Sequence, residues 1–433
     1  MRVLFVSESF SRDFSRAAWG TFQRMEMFIQ AIKELAALDI LFFVPPDVDC
    51  SPSTVSSLEK TLAERWGAAI RLFLCPRRET EGHASKWELY GRGVLGVSRQ
   101  WNYRATSGPQ QIRALENCLQ NKPDMVFAHR FSSMIPLLIT RRPLPRVCFD
   151  LDDIEHTALL RAINQESNWR DKLLYYAEVP ALCWGEYRAI RLASVTFVCS
   201  DLDRDYLRTW WRRPGVVTVP NAVPAVELQK VAAEPTMLFL GAFNYKPNAE
   251  AACFLLKEIW PRIHREMPGA RLIIAGKYPE NIQGPHERIP GVEFTGFVSD
   301  LRELYARTRV VCAPILSGAG TRIKIIEAAM YGKPTVATRI GAEGLEFRNG
   351  HELLLRDDAR SFANACVELL ANDSLCERLG LAAHEAAVRY YSRSKIEALI
   401  RAHVMASRDE RLAPLPRPLD EARSAQTIGQ SDH

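Results

Sequence analysis

Short apolar runs of strand length alternate with helical patterns along almost the whole of this 433-residue sequence. The first half holds seven predicted strands, at Val3–Val6, Ile40–Val44, Ile70–Cys75, Met125–Ala128, Val147–Phe149, Val195–Cys199 and Val216–Val219. Predicted helices lie between several of them, at Thr21–Leu38, Pro109–Gln120 and Trp169–Leu192. Buried strands that alternate with helices indicate a parallel sheet with helices on both faces. The alternation therefore predicts an α/β protein.

The same alternation begins again after a polar stretch. The second set of predicted strands is Met237–Gly241, Arg271–Ala275, Val292–Phe294, Arg309–Ala313, Thr335–Ala337 and Glu352–Leu355. We therefore predict two doubly wound, Rossmann-like domains, at residues 1–224 and 236–391, joined by a linker at 225–235. A final helix is expected at 392–407, followed by a disordered tail at 408–433. Ligands of such sheets bind beyond the carboxyl ends of the strands, so two facing domains enclose a cleft.

Composition narrows the class of protein. With 47% hydrophobic and 25% charged residues, the chain fits a soluble globular protein, and no apolar run reaches the length of a membrane span. The ten cysteines show no paired spacing typical of metal ligands, which indicates reduced thiols and a cytoplasmic location. A net charge of +5 is compatible with anionic ligands, or with peripheral contact with the inner face of a membrane.

One loop and the helix after it suggest an anion site. The predicted strand at Arg309–Ala313 runs into a loop that contains Gly318 and Gly320, and Thr321 is placed to cap the helix that follows. Glycines let backbone N–H groups approach a ligand, and a helix N-terminus favours anions. The stretch therefore predicts a phosphate site, although a plain loop and helix start explains the same residues.

The first turns of this helix carry charges that fit the same ligand. Arg322 and Lys324 add positive charge at the positive end of the helix dipole, which is unfavourable, and a bound anion would offset that charge. Glu327 follows one turn later and can accept hydrogen bonds from sugar hydroxyls. Phosphate with ribose is the predicted ligand, and a surface charge cluster is the alternative.

Two residues of the first half follow strands at positions that suit ligand contact. Gly20 lies at a turn from strand to helix, where it either admits a phosphate or sugar or merely makes the turn. His129 ends a strand and is expected to face the cleft as a neutral imidazole, or else to pack as a structural histidine. No G-x-G-x-x-G pattern follows the first strand, which disfavours a nicotinamide oxidoreductase.

Another strand end in the first half carries several carboxylates. Asp150 and Asp152 have the spacing of residues that share a cation with a diphosphate, and Asp153 and His156 follow closely. A metal site, an acceptor-binding or acid–base cluster, and helix capping with surface charge are the alternatives. The acceptor side is the favoured interpretation, with no metal.

Strand ends of the second half supply further donor-side candidates. Gly241 ends a strand, and Lys246 and Asn248 begin the next helix, from which they can reach the cleft. Gly276 and Phe297 lie in two other strand-end loops that suit a nucleobase. A solvated lysine and a capping asparagine are the alternative for Lys246 and Asn248.

A loop-rich insertion mixes basic and aromatic side chains. Its members are Arg77, Arg78, Lys86, Trp87, Tyr90, Arg92, Arg99, Trp101, Tyr103 and Arg104. Such a mixture can sit at an anionic membrane, bind the phosphates of an acceptor or stack on single-stranded nucleic acid. An ordinary surface loop with packed aromatics is the remaining alternative.

The motifs of the second half resemble the C-terminal domain of group 1 glycosyltransferases, the retaining GT-B family known as family four. The resemblance rests on residues 240–248, 290–301, 314–338 and 341–345. It implies a nucleotide-sugar donor on the second domain, a glycan or glycolipid acceptor on the first, and no metal or other cofactor. By resemblance, Glu327 binds ribose, Arg322 and Lys324 neutralise the diphosphate, and His129 lies near the transferred sugar.

The chain departs from this family at two positions. Ala319 stands where many members have a second glutamate that touches the sugar, and Ala242 stands where many have an arginine. The resemblance implies a retaining sugar transferase, with bacterial surface polysaccharide synthesis as the expected setting. An epimerase or hydrolase on the same fold, and a membrane- or nucleic-acid-binding protein, are the alternatives.

Overall fold

The computed structural model describes residues 1–14, 20–78, 91, 93–165, 168–282 and 289–409. The first half forms one seven-stranded sheet with the order β3-β2-β1-β4-β5-β6-β7, and its paired strands are parallel. Its strands are β1 (Arg2–Ser7), β2 (Ala37–Val44), β3 (Ile70–Pro76), β4 (Met125–His129), β5 (Arg146–Asp152), β6 (Val195–Val198) and β7 (Val216–Thr218). The strand order reverses between β1 and β4, where doubly wound sheets bind ligands.

Helices cover both faces of this sheet. They are α1 (Gly20–Lys33), α2 (Pro52–Trp66), α3 (Pro109–Leu119), α4 (Phe131–Ile139), α5 (Glu155–Gln165), α6 (Trp169–Leu192) and α7 (Asp201–Trp211). On one face Phe127 stacks on Phe5 and packs against Phe28 of α1, with ring centroids 5.0 and 4.9 Å apart. The first helix ends at Lys33, short of its predicted end at Leu38, because Leu38 pairs with Ile70 inside the sheet.

The second half forms a six-stranded sheet with the order β10-β9-β8-β11-β12-β13, again with parallel pairing. Its strands are β8 (Thr236–Leu240), β9 (Arg271–Ala275), β10 (Val292–Gly296), β11 (Val310–Ala313), β12 (Thr335–Ala337) and β13 (Leu354–Leu355). Its helices are α8 (Lys246–Phe254), α9 (Trp260–Glu266), α10 (Leu301–Ala306), α11 (Ile323–Met330), α12 (Ala359–Ala371) and α13 (Asp373–Tyr390). A π-helical turn at Leu255–Ile259 joins α8 to α9. The prediction of two doubly wound sheets is confirmed.

The last helix, α14 (Arg393–Asp409), returns to the first sheet. Ile396, Ile400 and Val404 recur at helical spacing and are buried in the core of the first domain. The return begins where Val223 accepts a hydrogen bond from the Arg393 amide. The helix extends two residues beyond its predicted end at 407, and the predicted tail falls mostly on residues 410–433, which lie outside the described residues. Within the described ranges, no helix has the length and hydropathy that crossing a membrane requires.

Candidate active site

The loop of residues 314–322 and helix α11 lie beyond the carboxyl end of β11, beside β8, where the second sheet reverses its strand order. Gly318 and Gly320 have φ angles of +99° and +74°, which side-chain-bearing residues rarely adopt. The prediction that Thr321 caps the helix is wrong. Arg322 holds the N-cap position, and the Thr321 hydroxyl instead accepts a hydrogen bond from Asn221 Nδ2 at 2.9 Å. Thr321 therefore ties the loop to the end of the first domain.

Lys324 points from the first turn of α11 toward the loop after β8. Its Nζ lies 2.8 Å from Asn248 Oδ1 and 4.7 Å from the centroid of the Phe239 ring. A Cβ atom on Gly241 would lie 3.2 Å from the same Nζ, so three predicted donor-side residues meet here. Burial, with a further contribution from the Arg322 charge, lowers the pKa of Lys324 to about 7. An anion at this position would restore the charge of the ammonium.

Glu327 lies one turn further along α11 and meets the first domain. Gln23 of α1 donates from Nε2 to its Oε1 at 3.4 Å. Burial raises the pKa of Glu327 to about 7, against the opposing effects of the Gln23 hydrogen bond and the Lys324 charge. The predicted pairing of a cation and a carboxylate one turn apart is therefore present in a partly desolvated setting.

The N-termini of α1 and α11 converge. Gly20 is the first residue of α1, and a Cβ atom built on it would lie 3.3 Å from Cδ1 of Ile323, the first residue of α11. The N-terminal ends of the two helices, where the helix dipoles are positive, therefore lie close to one another between the domains. Such an arrangement suits a ligand with two linked phosphates.

Arg322 folds back onto its own loop. Its guanidinium donates to the carbonyl oxygens of Ser317 at 3.2 Å and Gly320 at 2.8 Å, and also to that of Ala319. The residue is 9% exposed, so it holds the glycine loop in shape. The expected contact of Arg322 with a diphosphate stays a prediction. The ammonium of Lys324, by contrast, lies at the loop that follows β8.

The loops after β9 and β10 are built on glycine. Gly276 has a φ of +145°, and a Cβ atom there would lie 1.6 Å from the carbonyl oxygen of Gly241. Its amide donates to Gly296 O at 2.7 Å, which fixes the two loops together. Phe297 follows, 37% exposed, with Lys277 Nζ 4.6 Å from its ring centroid. This edge of the sheet offers a ring face and backbone groups to a ligand. The side chain of Lys246 is 70% exposed.

His129 ends β4 as expected. Its side chain is fully buried, which agrees with the alternative of a packed structural histidine. Ser7 Oγ lies 3.0 Å from its Nδ1, and Asp150 Oδ2 lies 3.7 Å from its Nε2. Burial holds the pKa of His129 well below its usual range, so the ring is neutral.

Arg24, which the sequence interpretation missed, engages two of the predicted acceptor-side residues. It contacts Asp150 at 2.6 Å and Asp152 at 3.1 Å, and it donates to Val219 O at 2.9 Å. All three side chains are buried, so neither carboxylate is open to an acceptor or a metal. The signal in the sequence was a lone arginine on the apolar face of α1, which at such a position needs a buried partner.

His156, another predicted acceptor-side residue, is buried and bonded within the first domain. It pairs with Glu186, and its Nε2 lies 2.9 Å from the Tyr206 hydroxyl oxygen. Hydrogen bonds and the Glu186 charge outweigh burial and raise the pKa of His156 to about 11. The imidazolium is thus a buried structural cation that anchors the start of α5 to α6.

Asp153 is the one member of that carboxylate cluster that meets the second domain. A Cβ atom on Gly320 would lie 1.7 Å from its Oδ1, so the carboxylate rests on the glycine loop. Burial and the neighbouring Asp152 raise the pKa of Asp153 to about 7. Asp152, Asp153 and Cys199 offer ligand atoms within 4.8 Å of one another. Their chemistry disfavours a cation site, because Arg24 already occupies Asp152 and burial raises the pKa of the Cys199 thiol.

A further contact between the domains comes from Arg161 of α5. It donates to Glu343 Oε1 at 2.9 Å and to the carbonyl oxygen of Gly318 at 3.2 Å. Nothing in the local sequence pattern distinguished Arg161 from a solvated helix residue. The glycine loop is therefore held by the first domain on two sides, through Arg161 and through Asn221.

The basic and aromatic insertion does not form a continuous surface in its described part. Tyr103 and Arg104 are buried, whereas Trp101 is 41% exposed. Residues 79–90 and 92, which include Lys86, Trp87, Tyr90 and Arg92, lie outside the described residues. The described aromatics instead line a cavity of about 300 Å³ between the domains.

Comparison with known proteins finds a family match in the second half of the chain. Residues 234–372 match the family described as glycosyl transferases group 1. The segment is similar to the domains of that family. The match confirms the resemblance that the motifs of the second half indicated.

The chain also has relatives among curated proteins. A phosphatidyl-myo-inositol mannosyltransferase of Mycobacterium leprae is 29% identical over 202 residues, which cover 43% of this chain and 53% of that protein. The matched parts span about half the length of the curated relatives.

Solved structures share the architecture of the whole described chain. Sucrose-phosphate synthase of Thermosynechococcus elongatus is 15% identical with a TM-score of 0.66, covering 94% of this chain and 98% of that one. Anabaena HepE in complex with UDP-glucose is 14% identical with a TM-score of 0.62, covering 94% and 100%. The fold of the described chain is GT-B, as predicted.

Proposed function

We propose that the protein transfers a sugar from a nucleoside-diphosphate sugar to a hydroxyl group of a glycan or glycolipid acceptor. The observation that carries the proposal is the partly buried Lys324 ammonium beside the converging N-termini of α1 and α11. The pKa of Lys324 falls to about 7 although Glu327 opposes the shift, so the ammonium is incompletely compensated, and a diphosphate would supply further negative charge.

The reaction needs stabilisation of the negative charge that develops on the leaving diphosphate. Lys324 and the free N–H groups of two helices provide preorganised donors in a site with little water. In this proposal Glu327 accepts hydrogen bonds from the ribose hydroxyls, and the loops at Gly276 and Phe297 contact the base. Arg322 stabilises the glycine loop by donating hydrogen bonds to three of its carbonyl oxygens.

Closure of the domains excludes water, which would otherwise divert transfer toward hydrolysis. Gln23, Asn221 and Arg161 reach across to the second domain, which supports a closed working state. His129 contributes a neutral ring beneath this region rather than an exposed base. We further propose retention of configuration, with the acceptor proton leaving late to the departing phosphate, and no metal or other cofactor.

The relatives support this assignment and suggest its setting. HepE was solved with UDP-glucose, and the mycobacterial relative is named a mannosyltransferase that acts on phosphatidyl-myo-inositol. Another relative comes from the cps region of Klebsiella pneumoniae. A role in bacterial surface polysaccharide or glycolipid synthesis, in the cytoplasm at the inner face of the membrane, is the proposal for this chain.

A two-stage experiment tests the function. A panel of nucleotide sugars is first screened by thermal shift, since a bound donor stabilises the folded state by mass action. The donor that binds is then incubated with and without a glycan acceptor panel, and products are identified by mass spectrometry and by the NMR coupling of the anomeric proton. A new glycoside with the donor's configuration is expected. An altered nucleotide sugar without acceptor would instead mean an epimerase, and free sugar regardless of acceptor a hydrolase.

A further inference from the structure

Helix α6 presents a stripe of large apolar side chains to solvent, although its opposite side is already packed. Leu182, Ala189 and Ile190 belong to the core of the first domain. The outward stripe consists of Trp169, Leu173, Tyr176 and Trp184. Their exposed fractions run from 46% to 67%. At 3.6 residues per turn, these four positions fall within about 80° of one another around the helix axis. A helix that is apolar on two sides generally has both sides covered.

The stripe continues onto α7 through a series of ring contacts. Trp184 stacks on Tyr187 with ring centroids 5.5 Å apart, and Tyr187 meets Trp211 edge to face at 5.9 Å. The neighbouring Trp210 is 71% exposed, and its ring centroid lies 6.3 Å from that of Tyr206. The outer sides of α6 and α7 thus form one surface, which we call the α6–α7 face. Its exposed apolar residues are Trp169, Leu173, Tyr176, Trp184 and Trp210.

Arginine side chains border this face at the C-terminal ends of both helices. They are Arg191, Arg208, Arg212 and Arg213. The hydrogen bonds found for them end on the Tyr187 hydroxyl or on backbone carbonyl oxygens. Two carboxylates of α7, Asp201 and Asp205, pair with Arg204 instead. Positive charge therefore accumulates along this border, with no ion pair to a carboxylate in the described part of the chain.

Aromatic rings and leucine beside arginines are the side chains that suit the interface of an anionic bilayer. Tryptophan and tyrosine place their rings at the depth of the headgroups, where their polar atoms stay hydrated. Arginines near such a surface are attracted to its negative charge, and their contributions accumulate. We propose that the α6–α7 face docks the protein on an anionic membrane surface. The three exposed tryptophans enter the headgroup region, and the four arginines contact lipid phosphates.

The position of the face suits an acceptor that is held in a bilayer. Tyr175 and Leu182, on the other side of α6, line the cavity between the domains. One helix, about 10 Å across, therefore separates this cavity from the proposed membrane contact. The inference rests on the proposed function for its setting at the inner face of a membrane, whereas membrane binding itself is measured without transfer activity.

The test measures binding of the full chain to vesicles by flotation. One set of vesicles is pure phosphatidylcholine, and the other contains equal parts of phosphatidylcholine and phosphatidylglycerol. Wild type is expected to bind the anionic vesicles at least tenfold more tightly than the neutral ones, and less tightly at high salt because salt screens the arginines. No binding to anionic vesicles, or equal binding to both sets, would overturn the proposal.

Variants assign the binding to the face. Trp184→Ser combined with Trp210→Ser is expected to weaken binding to anionic vesicles at least tenfold. Arg212→Gln combined with Arg213→Gln is expected to weaken it and to reduce its dependence on salt. The matched control is Arg389→Gln with Tyr390→Ser, an exposed pair of the same kinds on the second domain, where the guanidinium lies 5.9 Å from the ring centroid. The control should bind as wild type does.

Two further measurements separate the alternatives. Wild-type binding by both face variants, with unchanged melting temperatures, would contradict the proposal. Sedimentation velocity tests a second copy of the chain as the occupant, and self-association that the tryptophan variant abolishes would also overturn it. Nucleotide-induced thermal shifts in all variants should match wild type, because these residues lie outside the proposed donor site. Those shifts report the proposed function separately from membrane binding, so the two failures are distinguishable.

Discussion

The Nζ atom of Lys324 lies 2.8 Å from Oδ1 of Asn248, which joins the first turn of α11 to the first turn of α8. Asn248 in turn donates to Ala242 O at 3.0 Å, so the lysine is positioned by the loop after β8. A cation held in this way needs no rearrangement when charge develops on a leaving group, which is the basis of electrostatic catalysis.

Lys324→Ala is expected to lower kcat/KM for sugar transfer by about 10²- to 10³-fold, in line with the loss of one preorganised charge-stabilising group. Initial rates over a range of donor concentrations measure the effect. Lys257→Ala, at an exposed lysine on the same domain, is the matched control and should behave as wild type. Similar rates in the two variants would remove Lys324 from the mechanism.

Glu327 should make stability depend on pH. The pKa of Glu327 in the folded state, about 7, lies above its ordinary value of 4.5. The free energy of unfolding therefore falls as the pH rises through that interval, because the carboxyl group loses its proton more readily in the unfolded state. Glu327→Gln is therefore expected to be more stable than wild type at pH 8, by on the order of 1 kcal/mol, and nearly equal at pH 4. Urea unfolding at both pH values measures the difference. A constant difference across pH would show that the carboxylate is not desolvated.

Arg24 and Asp150 form a buried pair whose side chains are both fully inaccessible. Arg24→Met alone should destabilise the first domain by about 3–5 kcal/mol, because it leaves a buried carboxylate unpaired. Combining it with Asp150→Leu should recover most of that loss. The exposed pair Arg12 and Asp47 is the control, and its removal should cost at most about 1 kcal/mol. Additive losses in the double variant, measured by urea unfolding, would refute the coupling.

Gly276 should not tolerate a side chain. Gly276→Ala places Cβ against the Gly241 carbonyl at 1.6 Å, so the two strand-end loops must separate. We expect a loss of nucleotide affinity of at least tenfold and destabilisation of about 2 kcal/mol from the forced displacement. Gly269→Ala, with no atom within 4 Å of the added carbon, serves as the control in calorimetric titrations and thermal melts. Equal affinity in both variants would show that these loops do not shape the nucleotide site.

Transfer activity should survive treatment with a chelator. The carboxylates of Asp150 and Asp152 are engaged by Arg24, and the proposed mechanism stabilises the diphosphate with Lys324 and backbone groups. The measurement is the initial rate before and after incubation with excess EDTA and desalting. Complete loss of activity, restored by manganese, would assign a metal to the reaction.

Sequence periodicity predicted the two parallel sheets well because buried strands leave continuous apolar runs that differ from amphipathic helices. The strand-end position of His129 and the Lys324–Glu327 spacing followed from the same pattern. Which strand-end side chains stay open was not predictable, because that depends on partners distant in sequence. Arg24 forms an ion pair with Asp150, which is 126 residues away in the sequence. Asn221 donates a hydrogen bond to the Thr321 hydroxyl, which was expected to cap the helix.

Binding of nucleoside diphosphates to wild type, Lys324→Ala and Glu327→Ala, by isothermal titration calorimetry, tests the central claim most directly. UDP, GDP and ADP are titrated into each protein, with Lys257→Ala as the control. The account predicts that at least one of them binds wild type and the control equally, and binds both site variants at least tenfold more weakly. Equal affinity in all four proteins, or no binding of any nucleoside diphosphate, would contradict the assignment of this site.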